Sequence, residues 1–463
     1  MAPEAHAATF FIETLGCQMN KLDSELVAAA LQAEGLTAVP SADKADLAVL
    51  NTCSVREHAE AKALSRLGHW NHLRRKSGRP AAIAIIGCFA QRDPRHILAK
   101  APFVDIVCGP GRIHELPELH RRLAREKHLV ATDDFQALRA GRAEACPDLE
   151  SLDVSRPTQV NEFQAFVRVQ RGCEKFCTYC IVPYVRGPEC SRPVPNILDE
   201  VKRLDAAGVK EVTLLGQAIS SYRAELDGRT VGLAELLRMV HERTAIPRIR
   251  FITSYPGDFH TDVLSAMAEL PRVCPYLHLP AQHGSNAMLR LMNRKYTVEQ
   301  YLEIIQAGKT LVPDLSIAGD FIVGFPGETD DDHQRSLDLL RRVRYKNCFV
   351  FKYSPRPGTV AARRHHDSVS DDLKTARLRQ LLDVQDAIAA EDNRQLISRT
   401  LSVLVEGRSK KSRTTGRPQL VARTVDDKIV VLDGPESLVG QITSVQITNA
   451  TALTLFAELT ATP

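Results

Sequence analysis

The segment QRGCEKFCTYCIVPYVRG, Gln170 to Gly187, sets Cys173, Cys177 and Cys180 within eight residues. Thiolates are soft ligands, and three of them spaced CxxxCxxC on one loop can hold three irons of a 4Fe-4S cluster while the fourth iron stays open. Zinc is the main rival, but zinc knuckles favour CxxC pairs and need a fourth ligand close by. Cys190 lies ten residues past Cys180, and the intervening IVPYVRGPE does not read as a tight metal loop.

Four further cysteines, Cys17, Cys53, Cys88 and Cys108, each close an apolar run: FFIETLGC, ADLAVLNTC, AAIAIIGC and VDIVCG. Such runs, separated by amphipathic segments, predict an N-terminal parallel sheet flanked by helices, and ligands of open α/β sheets gather at the carboxyl ends of the strands. The thiols are therefore expected at one rim. Strand context alone does not separate Cys108 from the other three.

The polar stretch from Arg122 to Glu162 reads as a linker. Beyond it six strands are expected, at about Phe166 to Val169, Glu211 to Leu215, Arg248 to Ile252, Tyr276 to Leu279, Leu315 to Val323 and Phe349 to Tyr353. Helical patterns such as NILDEVKRLDAAG lie between them, with Asn196 placed to cap the start and Gly208 the end. Six βα units are fewer than the eight of a closed barrel, so a central partial (β/α)6 barrel is expected, its site again at the strand carboxyl ends. After a basic helix around Leu373 to Arg399, β-branched alternation broken by Gly and Asp predicts a small antiparallel β-barrel. The whole is an α/β chain with an N-terminal domain over 8–125, a linker over 126–158, the central barrel over 159–395 and the small barrel over 398–461.

With 463 residues, 44% apolar and 25% charged, the composition is that of a soluble globular protein of two or three domains. The N-terminus lacks the marks of a secretory signal, and no apolar run approaches the ~20 residues that span a bilayer, so a cytoplasmic location away from membranes is expected. In a reducing compartment, clusters among eleven cysteines read as metal-binding or catalytic rather than as disulfides. A net charge of +4 is mild, but Arg408 to Thr424 carries Arg408, Lys410, Lys411, Arg413, Arg417 and Arg423 with no acidic residue. Such a patch can neutralise phosphates and release counterions.

CxxxCxxC after the first strand of a partial barrel, with Tyr179 just before the last cysteine, resembles the radical S-adenosylmethionine (SAM) superfamily. LGCQMN, NTCSVREHAEAK, IGCFAQR, GCEKFCTYCIVPYVRG, RFITSYP, LHLPAQHGSN, GDFIVGFPGET and YSPRPGT resemble its methylthiotransferase family, from about Thr9 to Glu458. LGCQMN and NTCSVRE are most similar to the bacterial branch that acts on dimethylallylated adenosine in tRNA.

The resemblance implies one 4Fe-4S cluster on Cys173, Cys177 and Cys180, with SAM on its open iron, Tyr179 near the adenine and Gln217 near the amino-acid end. It implies a second, auxiliary 4Fe-4S cluster on Cys17, Cys53 and Cys88, and a C-terminal TRAM domain gripping tRNA through Lys410, Lys411, Arg413, Arg417 and Arg423. The reaction implied replaces the hydrogen on carbon 2 of N(6)-dimethylallyladenosine, next to the tRNA anticodon, with a methylthio group. That hydrogen is not acidic, which explains recourse to a radical cofactor. No side chain is assigned as acid or base. The partners implied are tRNA, an electron donor such as flavodoxin or ferredoxin, and a sulfur donor system, for a monomeric enzyme.

This chain departs from the family in reading GQAISSY where GQN is usual, and QHGSN where QSGSN is usual. His283, in the latter, is expected to be a satisfied hydrogen-bonding residue rather than a catalyst. The alternative from a different class is a non-catalytic iron-sulfur RNA-binding protein, separated by whether 5′-deoxyadenosine is released from SAM.

Overall fold

The computed structural model describes residues 8–54, 57–135, 150, 152–153, 163–409 and 418–460. The chain divides into two compact units. The first is built from the N-terminal part together with Arg168–Phe176 and Cys180–Arg192; the second contains the strand segment up to Val167, Cys177–Tyr179 and the chain from Pro193 on. The CxxxCxxC segment has residues in both.

In the first unit β1 (Thr9–Leu15), β2 (Thr37–Ala38), β3 (Leu47–Thr52), β4 (Ala82–Gly87), β5 (Ile106–Cys108) and β6 (Leu129–Ala131) form one sheet in the order β2-β1-β3-β4-β5-β6. Every pairing in it is parallel. All residues of β3 and β4 are buried, as the unbroken apolar runs of a parallel sheet covered on both faces require. Helices α1 (Gln18–Ala33), α2 (Glu57–Ser77), α3 (Cys88–Arg92), α4 (Pro94–Lys100) and α5 (Leu116–Arg122) alternate with the strands. The sheet continues past the boundary expected at 125, because β6 pairs with β5 inside the stretch read as linker. Three residues are too short a run to show any periodicity.

The second unit carries β7 (Gln164–Arg168) as far as Val167, while the two-residue strands β8 (Gln170–Arg171) and β9 (Cys190–Ser191) pair in the first unit, which also holds the short helix α6 (Val182–Val185). The barrel strands that follow β7 are β10 (Glu211–Leu215), β13 (Arg248–Ile252), β14 (Tyr276–His278), β15 (Ser316–Val323) and β16 (Asn347–Lys352), each within a few residues of its expected place. They form two three-stranded sheets, β13-β10-β7 and β14-β15-β16. Between the sheets, Cys274 N donates to Ile249 O (2.9 Å) and Ser254 N to His278 O (3.1 Å), so the six strands run in sequential order as an open barrel. An additional hairpin, β11 (Arg223–Leu226) with β12 (Arg229–Gly232), follows β10. Its turn residues Asp227 and Gly228 both have positive φ, as a two-residue Asp-Gly hairpin loop demands.

The helices of this unit are α7 (Val194–Ala206), α8 (Leu233–Arg243), α9 (Thr261–Glu269), α10 (Asn286–Leu291), α11 (Val298–Leu311), α12 (Asp330–Val343), α13 (Val360–Arg364) and α14 (Asp371–Arg394). Asn196, expected to cap α7, instead lies inside it. Pro193 takes the capping position and Pro195 the first turn, where a missing N–H costs nothing. Gly208, with φ +86°, closes the helix as expected.

A closed five-stranded barrel ends the chain: β17 (Thr400–Arg408), β18 (Gln419–Thr424), β19 (Ile429–Asp433), β20 (Ile442–Ala450) and β21 (Thr454–Leu459), in the order β17-β18-β19-β21-β20. It is antiparallel except for β19 with β21, which run parallel. Alternate residues such as Val403, Val405, Leu420, Ala422, Val430 and Leu432 fill its core. Polar contacts join it to the strands of the larger barrel. Arg248 and Arg250 donate to the carbonyls of Arg423 and Thr424 (both 2.8 Å), and Lys346 pairs with Asp427 (2.6 Å).

Candidate iron-sulfur sites

The N-terminal thiols lie where the strands deliver them. Cys17 stands two residues past β1, Cys53 one past β3 and Cys88 one past β4; Cys108 is the last residue of β5. The turn carrying Cys17 is fixed to β3 by amides: Cys17 N and its thiol both donate to Asn20 Oδ1 (3.4 and 3.2 Å), while Asn20 Nδ2 donates to Asn51 Oδ1 (2.8 Å). Gly87, directly before Cys88, has φ +95°, and a Cβ there would sit 2.5 Å from Asn51 Oδ1 and 2.6 Å from Thr52 O. Only glycine lets the β4 end pack this close to β3.

Three of the four thiols are electrostatically joined. Cys17 is held down to about 6, first by a hydrogen bond with the Cys53 thiol and, against desolvation, by the Arg186 charge. Cys88 Sγ accepts a hydrogen bond from Arg186 Nε at 3.3 Å, although burial pushes its thiol up. Cys108 is different: it is fully buried, its thiol donates to Gly109 O (3.5 Å), and burial pushes it well up with no other cysteine among its influences. It is a small buried core residue.

Beneath these thiols runs an alternating chain of charges that sequence reading missed. Arg186 pairs with Asp23 (2.8 Å), Asp23 with Arg168 (3.6 Å), Arg168 with Asp153 (2.6 Å), Asp153 with Arg192 (3.6 Å) and Arg192 with Glu150 (2.9 Å). Asp23, Arg168, Asp153, Arg186 and Arg192 are all buried. Arg186 Nη2 is also buried and has no partner among the described residues.

The CxxxCxxC loop starts at Gly172, whose φ is +72° and whose missing Cβ would fall 1.8 Å from Pro188 O. Cys173 N donates to Gly187 O at 3.1 Å. In the second unit, Thr178 N and Oγ1 donate to Met292 O and Leu291 O (3.0 and 2.9 Å), and Tyr179 packs half-buried against Met288, Met292, Phe325, Tyr353 and Ala361. Buried Cys177 accepts from Arg294 Nη1 at 3.2 Å. No local motif links residues 117 apart, so Arg294 was not legible in the sequence.

Three side chains just past barrel strands carry a buried polar atom without a hydrogen-bond partner among the described residues. Among the described residues, Gln217 Oε1 just past β10, Ser254 Oγ just past β13 and Tyr353 Oη just past β16 are buried and unsatisfied. Buried unsatisfied groups are costly, so three of them just past the carboxyl ends of strands of one barrel fit a polar ligand such as SAM. Gln217 was singled out from the sequence; Ser254 and Tyr353 were not, although RFITSYP and YSPRPGT contain them. His283 behaves as expected: Nε2 bonds Glu328 (3.0 Å) and Nδ1 accepts from Ser285 N (3.0 Å).

The soft, all-thiol donor sets fit iron-sulfur clusters. Among the described residues no group of three His, Cys, Asp or Glu is set to hold a single metal ion; a cubane is larger, and the thiols it joins stand further apart. Lys410, Lys411, Arg413 and Arg417 lie outside the described residues. Arg423, on β18, pairs with Glu406 (2.9 Å) and Asp427 (3.0 Å), so its charge is already compensated.

Three family patterns match the chain: Uncharacterized protein family UPF0004 over residues 9–109, the Radical SAM superfamily over 167–340 and the TRAM domain over 394–460. A radical S-adenosylmethionine methyltransferase, TsrM, from Kitasatospora setae, with cobalamin and a 4Fe-4S cluster bound, shares the fold with TM-score 0.55 over 77% of each chain at 13% identity. The tRNA-2-methylthio-N(6)-dimethylallyladenosine synthases of Rhodopirellula baltica and Bacteroides thetaiotaomicron are each 42% identical over 97% of this chain and 95% of their own. That of Phocaeicola vulgatus is 40% identical over 99% and 97%. With such identity over nearly the whole of both partners, the chain belongs to the tRNA-2-methylthio-N(6)-dimethylallyladenosine synthase family of radical SAM enzymes.

Proposed function

We propose that this chain is the radical SAM methylthiotransferase that converts N(6)-dimethylallyladenosine of tRNA, next to the anticodon, to its 2-methylthio derivative. The observation that carries the reading is full-length identity to enzymes of that name, in a chain whose cysteines stand at two sets of strand ends. Radical SAM membership brings SAM and a 4Fe-4S cluster, which we assign to Cys173, Cys177 and Cys180. Together, when bound, they supply a carbon-centred radical able to take a hydrogen that no side-chain base can remove.

A second cluster is assigned to Cys17, Cys53 and Cys88. The support is their common rim, the shared Arg186 and the low-lying Cys17 thiol, because it is the thiolate that binds metal. Gln217 Oε1, Ser254 Oγ and Tyr353 Oη are the groups to orient SAM, with Tyr179 packing on its adenine side. Phosphate contact is assigned to Lys410, Lys411, Arg413 and Arg417 rather than to the paired Arg423. A low-potential flavodoxin or ferredoxin, a sulfur donor system and a monomeric cytoplasmic enzyme complete the reading. Among the described residues no helix is long and apolar enough to cross a membrane.

The test is anaerobic reconstitution with iron, sulfide, SAM and reductant on tRNA already bearing the dimethylallyl group, followed by mass spectrometry of the nucleosides. The methylthio nucleoside is expected together with 5′-deoxyadenosine. Absence of both would favour a non-catalytic iron-sulfur protein, and 5′-deoxyadenosine alone would overturn the substrate.

A further inference from the structure

Building on the radical SAM reading of Cys173, Cys177 and Cys180, we propose that Arg294 is a positioning residue that sets the reduction potential of that cluster by holding an uncompensated positive charge against the Cys177 sulfur. Arg294 is buried and donates through Nη1 to Cys177 Sγ at 3.2 Å, through Nη2 to Pro280 O at 3.3 Å and through Nε to Tyr296 Oη at 2.9 Å. Its guanidinium carbon stands 4.5 Å from the ring centre of Tyr255 and 5.0 Å from that of Tyr296. Both rings are anchored in turn: Tyr255 Oη accepts from Lys295 N (3.0 Å), and Tyr296 Oη donates to Ala281 O (2.8 Å).

Every one of these partners except the sulfur is neutral, and among the described residues no carboxylate pairs with Arg294. Arginine does not deprotonate in proteins, and a buried charge without a counter-charge is expensive. Aromatic faces and carbonyls lessen that cost but do not cancel the charge. The anion that balances it is therefore the occupant of the thiol loop.

In the electron-transfer step one electron passes from a low-potential flavin or iron-sulfur donor to the cluster. The donor is oxidised, cluster iron is reduced, no bond forms or breaks, and the site gains one negative charge. Net charge and hydrogen bonds to the sulfurs are levers on cluster potential. A fixed cation on a ligand sulfur stabilises the reduced form more than the oxidised form. It therefore raises the potential toward that of the donor.

The experiment uses full-length protein carrying C17A, C53A and C88A, so that one cluster remains, reconstituted anaerobically and titrated potentiometrically with EPR detection. R294Q is expected to hold iron and to be harder to reduce by at least tenfold in the equilibrium constant, 59 mV for a one-electron couple. R294K, which keeps the charge, is expected to stay closer to the parent than R294Q does. An R294Q cluster with the parent potential would overturn the proposal and leave the radical SAM reading intact. Where R294Q fails to load, R294K decides: a potential within twofold of the parent in equilibrium constant supports the role of charge, and a tenfold loss overturns it. A parent protein with no reducible 4Fe-4S signal would overturn the proposal and the radical SAM reading together.

Discussion

Two buried arginines each donate to a cysteine, and they are held in opposite ways. Arg186 reaches Cys88 while paired with Asp23, at one end of a chain of three arginines and three carboxylates whose charges cancel within the protein. Arg294 reaches Cys177 from a cage of two tyrosines and one backbone carbonyl, none of which carries a charge. The first arrangement is stable in itself and serves to fix geometry. The second leaves its charge to whatever the loop binds. Cys88 is thus held by a neutral framework, and Cys177 by one that carries a net positive charge.

The sharpest way to break this division is to remove one thiol from each set. Cys177→Ala is expected to abolish 5′-deoxyadenosine formation and methylthio product together. Cys53→Ala is expected to leave SAM cleavage measurable and to abolish the product alone. Chromatography of 5′-deoxyadenosine beside nucleoside mass spectrometry reads both, and equal loss in the two variants would mean that the thiol sets do not divide the work.

The next effect is on stability. Asp23→Asn leaves Arg186 and Arg168 buried beside an uncharged amide, and breaking a buried pair in this way costs about 3–5 kcal/mol. Tyr296→Phe removes a neutral hydrogen-bond partner of Arg294 and is expected to cost about 1 kcal/mol. Urea unfolding of the iron-free protein compares the two. A Tyr296→Phe cost equal to that of Asp23→Asn would show that the two arginines are held alike.

Much of this was readable from sequence, and the parts that were not share a cause. The sheet and its thiols were legible because β3 and β4 are unbroken apolar runs each followed at once by a cysteine. The six barrel strands were legible for a similar reason. The hairpin at Asp227 and Gly228 carries a readable Asp-Gly turn signal. α7 begins at Val194 because two prolines outweigh an asparagine as a start signal. Neither Arg186 nor Arg294 could be found, since each meets its cysteine across about a hundred residues and its significance lies in burial and partner charge. The orphan atoms of Ser254 and Tyr353 are invisible for the same reason.

The finest test of the comparison is chemical and uses the iron-free, reduced protein. Cys17 is exposed at the rim with its thiol near 6, so its alkylation by iodoacetamide is expected to rise between pH 5 and 7, well below the range of an ordinary thiol. Cys108, fully buried and pushed up, is expected to stay unlabelled while the protein is folded. Because the hydrogen bond with Cys53 outweighs the Arg186 charge in lowering Cys17, Cys53→Ala is expected to move the labelling midpoint upward more than Arg186→Met does. Mass-spectrometric labelling profiles against pH resolve the order. A larger shift for Arg186→Met would mean that Asp23 does not absorb the arginine's charge, and Arg186 would then act on its thiols as Arg294 acts on Cys177.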